Sequence, residues 1–425
     1  MIVAAHTLGC KLNFAETSHI LRSLTAQGHT VVDFGQHADI YIINTCTVTA
    51  VAEKKCRNAI RQAHRKNPDA QIVVVGCFAQ VAAEEIGKIP GVTLVLGNDR
   101  KHLLPDFINN NTIVPSTHSP LSTSHSPLPF PLQYSSGDRT RTFFKIQDGC
   151  DYFCTYCAIP FARGRSHSAT IDETLCMARQ IAASGSKEVV LTGVNTGTFG
   201  QHQGESFLEL LEQLDKLEGI MRYRISSIEP NLLTDDIIDF VASSRAFLPH
   251  FHIPLQAGSD HVLKLMHRRY DTALYRDKLL RIKQAMPDAC IAADIMAGFN
   301  GESEEEFLRT LQFVDSLPLS YLHVFTYSDR PGTAALKLGE KIPVAVRREH
   351  TARLLELSER KHQTFIESQL GKTRPVLWES TLHGVTIQGW TDNYIRVCRP
   401  YDATLVNTVS QVTLDEHNIV ADHDF

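Results

Sequence analysis

Short apolar runs alternate with segments whose apolar residues recur every three or four positions over the first 100 residues or so. The apolar runs read IVAAHTLGC, ADIYIINTC, AQIVVVGC and, less regularly, VTLVLG. Between them lie stretches such as AETSHILRSLTAQG and TAVAEKKCRNAIRQAHRK, which have the periodicity of amphipathic helices. Alternating strands and helices predict an open parallel sheet covered by helices, in a domain of residues 1–114.

A second series of strand patterns begins near residue 139 and reads TFFKIQ, KEVVLTGV, RYRISSI, HFHIPLQ, CIAADIMAGF and YLHVFTYS. Helical patterns separate most of these strands. Thr170 with Glu173, and Ser303 with Glu306, have the spacing of a capping box at a helix start. Six βα units predict a partial (βα)6 barrel whose functional loops follow the C-terminal strand ends. We place this barrel at residues 139–370, with a long final helix that Gly371 ends.

Two further segments complete the predicted architecture. Residues 115–138 are dominated by Ser and Pro, which predicts a flexible linker. Residues 371–425 contain VLWES, GVTIQGWTDNYIRVC and ATLVNTVSQVTL, which predict a small antiparallel β module. The predicted fold class is therefore α/β, with a parallel-sheet domain, a partial barrel and a C-terminal β module.

Composition narrows the class of protein. A hydrophobic content of 43%, a charged content of 21% and a net charge of −5 are those of a globular protein without a global basic field. Any RNA-binding surface must therefore be local. The start, MIVAAHTLGC, has no basic leader, and no stretch approaches the ~18 apolar residues of a membrane helix. We expect a cytoplasmic protein, whose ten cysteines serve as metal ligands, catalytic thiols or buried residues.

The strongest chemical signal is the loop CDYFCTYC, which contains Cys150, Cys154 and Cys157. Three thiolates this close together can hold one metal centre. A four-iron cluster with only three protein ligands keeps one iron open for a reactant. The alternative is a structural zinc site with His167 as its fourth ligand.

A second set of cysteines ends three predicted strands. Cys10, Cys46 and Cys77 lie 36 and 31 residues apart, which is about the length of one βαβ repeat. In an open parallel sheet such positions meet at the carboxyl edge, where ligands bind. We interpret these three cysteines as ligands of a second cluster with an open iron. The alternative is that they are structural cysteines that happen to lie at equivalent turns. The other four cysteines have no partners at ligand spacing and are expected to be buried thiols: Cys56, Cys176, Cys290 and Cys398.

These motifs carry a resemblance to a known family. The C-x-x-x-C-x-x-C spacing resembles the signature of radical S-adenosylmethionine (SAM) enzymes. With LGCKLN, NTCTVT, VVVGCFAQ, HIPLQAGSDHVLKLMHRRY and HVFTYSDRPGT, the chain resembles the methylthiotransferase family over nearly its whole length, apart from the linker. GCKLN and NTCTVT look most like the branch acting on N(6)-threonylcarbamoyladenosine in tRNA. The branches acting on isopentenyladenosine or on a ribosomal-protein aspartate share the cysteines and remain alternatives.

The resemblance implies the cofactors, the partners and a different reaction at each cluster. It implies two 4Fe-4S clusters, one per cysteine triad, and SAM as cosubstrate. One SAM would methylate sulfur at the cluster of Cys10, Cys46 and Cys77, and another would be cleaved at the second cluster to a radical that activates carbon 2 of the adenine. The implied partners are a tRNA anticodon stem-loop and a low-potential electron donor protein, without a membrane. The C-terminal module would be a TRAM-like RNA-binding module.

Candidate SAM-binding residues follow the strands of the predicted barrel: Gly193, Asn195, Ser227, Glu229, Gln256 and Asp294. Gly258, Ser259 and Gly298 lie beside them. Each has a simpler alternative, such as a turn glycine or a loop cap. The family usually has Ser after the glutamine, where this chain has Ala257, which weakens the assignment of a polar contact there.

Two local surfaces are candidates for RNA contacts. A basic stripe at helical spacing follows Cys46 and consists of Lys54, Arg57, Arg61 and Arg65. Trp390, Tyr394 and Arg396 offer stacking surface in the C-terminal module. The alternative for the basic stripe is a solvated helix face, and the alternative for the aromatic residues is the core of the module.

Two other classes of protein remain as alternatives for the whole chain. One is a non-catalytic iron–sulfur or zinc protein that binds RNA, and the other is an electron-transfer protein.

Overall fold

The computed structural model describes residues 1–110, 130–137 and 140–420, with only the backbone of residues 381–383. These residues fall into two compact units. The first unit comprises residues 1–138, 143–169 and 328–333, and the second comprises residues 139–142, 170–327 and 334–425. The predicted linker at 115–138 lies outside the described residues except for residues 130–137. The domain boundaries drawn from the sequence stay a prediction.

The first unit opens with a parallel sheet. Its elements are β1 (Ile2–Thr7), α1 (Lys11–Ala26), β2 (Thr30–Val32), β3 (Ile40–Thr45), α2 (Ala50–Lys66), β4 (Gln71–Gly76), α3 (Cys77–Val81), α4 (Ala83–Gly87), β5 (Val92–Leu96) and α5 (Leu104–Asn109). The strand order is β2-β1-β3-β4-β5, and all four pairings are parallel. The predicted open parallel sheet is confirmed. The short edge strand β2 was not predicted, because three residues are too few to give a strand pattern.

Both faces of this sheet are buried, which explains why its central strands are apolar without interruption. Successive residues of a strand point to opposite faces. Tyr41 and Ile43 pack with Ile60 of α2 on one face, whereas Ile40 and Ile42 pack with Ile20 of α1 on the other. The sheet is therefore wound with helices on both sides, as its strand order requires.

The rest of the first unit surrounds the CDYFCTYC loop. Its elements are β6 (Gln133–Tyr134), the last three residues of β7 (Arg141–Lys145), β8 (Gln147–Asp148), α6 (Ile159–Arg163) and β9 (His167–Ser168). β6 pairs with the end of β7, and β8 pairs with β9, both in antiparallel fashion. The described end of the predicted linker thus includes a strand, and its Gln133 is buried.

The second unit contains the five later strands of the predicted barrel. Its elements are α7 (Ile171–Ala183), β10 (Glu188–Thr192), α8 (Phe207–Asp215), β11 (Arg222–Ile225), α9 (Asp235–Ser243), β12 (His250–His252), α10 (Asp260–Leu265), α11 (Thr272–Ala285), β13 (Cys290–Ala297), α12 (Glu304–Ser316), β14 (Tyr321–Thr326) and α13 (Val344–Glu367). β10 pairs with β11, and β13 pairs with both β12 and β14, always in parallel. The predicted α/β class with parallel βα units is confirmed.

Helix starts in this unit follow the predicted caps in part. Thr170 and Glu173 form the complete capping box of α7. Ser303 caps α12, since its hydroxyl accepts a hydrogen bond from the Glu306 amide at 3.3 Å. The Glu306 carboxylate, however, accepts a hydrogen bond from Ser259 Oγ instead of closing the box. The second capping box is therefore only half formed, because a tertiary partner competes for the carboxylate.

The long helix α13 ends earlier than its glycine suggested. Its C-cap is Ser368, and Gly371 lies three residues beyond with a φ of 77°. Gly371 therefore serves the turn into the next strand rather than the helix end itself. Across the described ranges, no helix combines the length and the apolar character needed to cross a bilayer.

The C-terminal β module is an antiparallel sheet. Its strands are β15 (Thr373–His383), β16 (Thr386–Thr391), β17 (Arg396–Pro400) and β18 (Val409–Thr413), in the order β17-β16-β15-β18. Trp378, Val376 and Ile387 form its core together with Tyr321 of β14. This confirms the predicted small antiparallel sheet.

Candidate active site

The sheet of the first unit brings three predicted cysteines to one edge. Cys10 directly precedes α1 after β1, Cys46 follows β3, and Cys77 begins α3 after β4. β3 lies between β1 and β4. The connections leave in opposite directions from β1 and β3, so this edge is the topological switch point of an open α/β sheet. We call Cys10, Cys46 and Cys77 the strand-end triad.

The chemistry of the strand-end triad suits a metal centre. Cys46 and Cys77 are buried, and Cys10 is exposed, so the site opens on the side of Cys10. Burial, together with the neighbouring thiols of Cys77 and Cys10, raises the pKa of the Cys46 thiol to about 12. A thiol with so high a pKa is a poor nucleophile on its own, whereas a bound metal deprotonates its thiol ligands outright. The residues therefore fit a cluster with three cysteine ligands and one open position.

Two glycines let the backbone turn into the strand-end triad. Gly9 has a φ of 105°, and a Cβ there would lie 2.9 Å from Cys46 Cβ. Gly76 has a φ of 100°, and a Cβ there would lie 2.3 Å from Asn44 Oδ1. Both the positive φ and the close approach exclude a side chain at these positions. The Gly-Cys pairs of LGC and VGC are thus part of the site.

Side-chain hydrogen bonds tie the three cysteine-bearing strand ends together. Asn13 Nδ2 donates to the carbonyls of Leu8 at 2.8 Å and Thr45 at 3.1 Å, which joins the ends of β1 and β3. Thr45 Oγ1 donates to the Val75 carbonyl at 2.7 Å and accepts from the Ala79 amide at 3.1 Å. This second bridge joins β3 to β4 and α3. These bonds fix the strand ends that carry the triad.

The second predicted set, Cys150, Cys154 and Cys157, lies in the loop between β8 and α6 of the same unit. We call it the loop triad. Cys154 is buried, and the other two are half-buried. The Cys157 amide donates to the Cys154 carbonyl at 3.0 Å, and the Cys150 amide donates to the Gly164 carbonyl at 3.1 Å. The loop is thus folded back on itself. Three thiols in one compact loop fit a second cluster with an open iron.

His167, the alternative fourth ligand for zinc, lies on β9 and is exposed. Its Nδ1 is hydrogen-bonded to the Arg165 carbonyl at 2.9 Å. This nitrogen therefore already has a backbone partner.

The candidate SAM-binding residues all lie in the second unit, shortly after β10, β11 and β12 or, for Asp294, within β13. Asn195 is buried, and its Oδ1 accepts a hydrogen bond from the Glu229 amide at 3.4 Å. Glu229 also forms an ion pair with Arg268. Gln256 has a φ of 69°, and its backbone bonds to that of Asp294 and Met296. Gly193 follows β10 in the turn before Asn195.

A chain of polar side chains crosses the strand ends of this unit. Ser227 Oγ lies 2.8 Å from His252 Nδ1, and His252 Nε2 lies 2.8 Å from Asp294 Oδ1. Burial opposes ionisation of Asp294, but His252 and His323 outweigh it and lower the pKa of this carboxyl. One ligand atom each of His252, Asp294 and His323 lies within 4.8 Å of the others. This polar cluster can orient a bound cosubstrate or share a proton with it.

The basic stripe on α2 is only partly available. Lys54, Arg61 and Arg65 are exposed. Arg57 instead forms an ion pair with Glu85 at 2.7 Å and lies over the Phe78 ring, 4.7 Å from its centroid. Three of the four predicted cations therefore remain as candidates for phosphate contacts.

The aromatic residues predicted to stack on bases pack against each other. The rings of Trp390 and Tyr394 are stacked at 4.5 Å, and Tyr394 also contacts His250 at 4.4 Å. The guanidinium groups of Arg396 and Arg141 lie 5.2 and 4.9 Å from the Trp390 ring centroid. All of these residues belong to the second unit. The rings of Trp390 and Tyr394 are engaged in packing, which favours the alternative that they belong to the core of the C-terminal module.

The prediction for the remaining four cysteines is half right. Cys56 and Cys290 are buried, and Cys56 Sγ contacts the Cys46 amide at 3.5 Å. Cys176 is exposed and Cys398 is half-buried, so the expected burial was wrong for both. On α7 the buried residues are Thr174, Ala178 and Ile181, and position 176 lies off that stripe.

Sequence reasoning missed a set of buried charged side chains beside the strand-end triad. Its members are Glu16, Lys101, Lys145, Asp148 and Arg163, which we call the buried ion cluster. It also missed Arg330, whose guanidinium donates to the Thr47 carbonyl at 3.1 Å and to Glu53 at 2.7 Å. The signal available was that Asp148 lies two residues before CDYFCTYC and Arg330 lies within HVFTYSDRPGT. Nothing in their local pattern marks them as buried.

Two segments of the chain match known protein families, and the fold is shared with a solved structure. Residues 2–97 match the family described as uncharacterized protein family UPF0004, and residues 144–314 match the radical SAM superfamily. A solved structure of the radical S-adenosylmethionine methyltransferase TsrM from Kitasatospora setae shares the fold, with a TM-score of 0.54 at 13% identity over 76% of this chain and 72% of that chain.

Two curated relatives are similar over nearly the whole chain, and both are threonylcarbamoyladenosine tRNA methylthiotransferases named MtaB. The protein from Bacillus subtilis (strain 168) is 39% identical over 93% of this chain and 89% of its own length. The protein from Aquifex aeolicus (strain VF5) is 36% identical over 94% and 97%. Fold, cysteine sites and matches together define a radical SAM enzyme. Within that class, the chain belongs to the radical SAM tRNA methylthiotransferase family.

Proposed function

We propose that this protein adds a methylthio group to carbon 2 of N(6)-threonylcarbamoyladenosine next to the anticodon of tRNA. The observation that carries the proposal is the convergence of Cys10, Cys46 and Cys77 on one sheet edge, in the same unit as the loop triad. Similarity to relatives with that named activity, over more than nine-tenths of the chain, supports the choice of substrate.

Each triad would hold one 4Fe-4S cluster in this proposal, with Cys10, Cys46 and Cys77 as ligands of the first and Cys150, Cys154 and Cys157 as ligands of the second. The donor sets support it, since three thiols leave one iron open. When bound, such clusters supply electrons and an open iron for SAM or sulfur, chemistry that side chains lack. A cofactor is needed because an aromatic C–H offers no acidic proton to a side-chain base.

The second unit would bind SAM at the C-terminal ends of its strands. We assign this role to the residues predicted for it, namely Gly193, Asn195, Ser227, Glu229, Gln256 and Asp294. The support is that hydrogen bonds link Asn195 to Glu229, Ser227 through His252 to Asp294, and the Gln256 backbone to that of Asp294, which gives a preorganised polar surface. In this surface Asp294 fixes the orientation of His252, and His252 in turn orients Ser227.

Substrate binding would rely on local charge. The net charge of the chain is −5, so the anticodon stem-loop must meet basic side chains on particular elements. Lys54, Arg61 and Arg65 on α2, which begins four residues after Cys46, are the candidates for phosphate contacts. An electron donor protein of low potential would complete the reaction.

The test is mass spectrometry of tRNA nucleosides from cells with and without the gene. We expect the methylthio form of threonylcarbamoyladenosine to disappear with the gene and to return with the wild-type chain. Cys10→Ala and Cys154→Ala should each fail to restore it, because each removes a ligand from one triad. Cys176→Ala is the matched control and should restore it, because Cys176 is exposed and belongs to neither triad.

Other outcomes would change the proposal in defined ways. Loss of a different methylthio nucleoside would keep the chemistry and replace the substrate. Loss of a methylthio group from protein would point to the aspartate-modifying branch. If no methylthio product changed in any fraction, the proposed activity would be wrong.

A further inference from the structure

The buried ion cluster of the first unit carries an unbalanced charge. Lys101, Lys145 and Arg163 supply three cations against the carboxylates of Glu16 and Asp148, and none of the five is more than 5% exposed. The pairs are close: Lys145 lies 2.7 Å from Asp148, and Arg163 lies 2.9 Å from it. Lys101 forms an ion pair with Glu16. One excess positive charge is therefore buried, which is costly unless an anion lies nearby.

Arg163 lies beside the strand-end triad. Its Nη2 donates to Asn13 Oδ1 at 2.5 Å, and Asn13 is the residue that joins the strand ends carrying Cys10 and Cys46. Burial opposes the charge of Arg163, but Asp148 together with Cys77, Glu16 and Cys10 outweighs it and raises the pKa of the guanidinium. As deprotonated ligands of a cluster, Cys77 and Cys10 would be among the groups that compensate this buried cation.

A second contact reaches a sulfur atom directly. Asn98 Nδ2 donates to Cys77 Sγ at 3.4 Å and to the Ala162 carbonyl at 2.7 Å. Its Oδ1 accepts from Lys101 Nζ at 2.5 Å. The amide is therefore fixed with its donor side toward the sulfur by a cation of the buried ion cluster.

Both features act on the quantities that determine the potential of an iron–sulfur cluster. Reduction potentials depend on the charge around the cluster, on hydrogen bonds to its sulfurs and on exposure to solvent. A buried cation stabilises the reduced form, which carries one more negative charge. A hydrogen bond to a cysteine sulfur acts in the same direction. Solvent screens the charge of Arg163 only weakly, because that side chain is buried, and Asn98 is half-buried.

We propose that Arg163 and Asn98 are positioning residues that raise the reduction potential of the cluster held by Cys10, Cys46 and Cys77. The inference rests on the proposed function, which puts a cluster at that triad. Arg163 ends α6, six residues after Cys157, and its partner Asp148 lies two residues before Cys150. The segment that carries the loop triad therefore also supplies the charge at the strand-end triad.

The experiment isolates the first cluster in the full-length chain. A variant with Cys150→Ala, Cys154→Ala and Cys157→Ala is reconstituted with iron and sulfide, and its midpoint potential is measured by titration followed by electron paramagnetic resonance. Arg163→Gln in this background should shift the redox equilibrium toward the oxidised form by about tenfold, or about 59 mV for one electron. Arg163→Lys, which keeps the charge, should shift it less.

Two further variants keep the test decisive. Asn98→Ser leaves all five charges in place and should lower the potential even if Arg163→Gln does not fold. Lys88→Gln removes an exposed cation of the same unit and should leave the potential unchanged. Thermal melting of each variant reports whether the fold is retained.

The outcomes separate the two proposals. If the triple cysteine variant binds none of the about four irons expected per chain, the proposed cluster is wrong at its site. If iron binds but Arg163→Gln and Asn98→Ser have the potential of Lys88→Gln, the cluster stands and the inference about Arg163 and Asn98 is overturned.

Discussion

At the scale of single residues, the site depends on backbone positions that admit only glycine. Gly9 precedes Cys10 at a φ of 105°, and an added Cβ would lie 2.9 Å from Cys46 Cβ. Gly28, in the turn before β2, has a similar φ of 89° but no atom within 4 Å of an added Cβ. The two glycines share the backbone requirement and differ only in the close contact, so they form a matched pair.

This pair gives the first prediction. Gly28→Ala should lower the free energy of unfolding by about 1 kcal/mol through backbone strain alone, and the iron content should stay at its wild-type value. Gly9→Ala should displace Cys46 and reduce the iron content by about half, because one of two clusters is lost. Iron analysis after reconstitution measures this directly. Equal iron content in the two variants would contradict the role assigned to Gly9.

Residues also show where inference from the sequence stopped. The cysteines of the strand-end triad could be predicted, because each ends an apolar strand and strand ends of a parallel sheet converge. Glu16 could not be predicted as buried, because it lies on α1 between Ala15 and Thr17, in a helix whose polar residues have no local sign of burial. Its partner Arg163 is 147 residues away in the chain. Only the folded structure brings the two charges together.

At the scale of elements, α2 is the clearest candidate for an RNA contact. Thr49 caps its start, and the exposed Lys54, Arg61 and Arg65 lie along it. The sequence predicted the stripe, but it could not predict that Arg57 is neutralised by Glu85 from a neighbouring helix. In the same way, Glu306 has the spacing of a capping box, but its carboxylate accepts a hydrogen bond from Ser259 instead. Local patterns predict which partners are within reach, and tertiary contacts decide which one is used.

The second prediction concerns this stripe. Changing Lys54, Arg61 and Arg65 together to Gln should weaken binding of an anticodon stem-loop and reduce the slope of log affinity against log salt by about two to three, since each phosphate contact contributes about 0.7 to 0.9. Binding titrations at several salt concentrations measure both quantities. Arg57→Gln is the control, and we expect it to leave the slope unchanged. An unaltered slope in the triple variant would show that the stripe is only a solvated face.

At the scale of the whole molecule, the first unit is not a continuous stretch of chain. It takes residues 143–169 and 328–333 from beyond the segment that the sequence marked as the N-terminal domain. Residues 143–169 bring Lys145, Asp148 and Arg163 of the buried ion cluster to Glu16 and Lys101 of the earlier segment. Residues 328–333 bring Arg330 to Glu53. A composition change marks where the chain becomes polar, but it does not show where buried charges find their partners.

The last prediction follows from this division. A fragment of residues 1–137 leaves the buried carboxylate of Glu16 with Lys101 alone, whereas a fragment of residues 1–169 keeps all five charges. Removing partners from a buried ion pair costs about 3–5 kcal/mol, so the shorter fragment should unfold at a clearly lower urea concentration and be cut faster by protease. Lys145→Gln with Arg163→Gln in the longer fragment should bring its urea midpoint down toward that of the shorter one. If both fragments unfolded at the same urea concentration, the buried ion cluster would not be what joins the later segment to the sheet, and the apolar contacts of α6 and β7 would have to supply that stability instead.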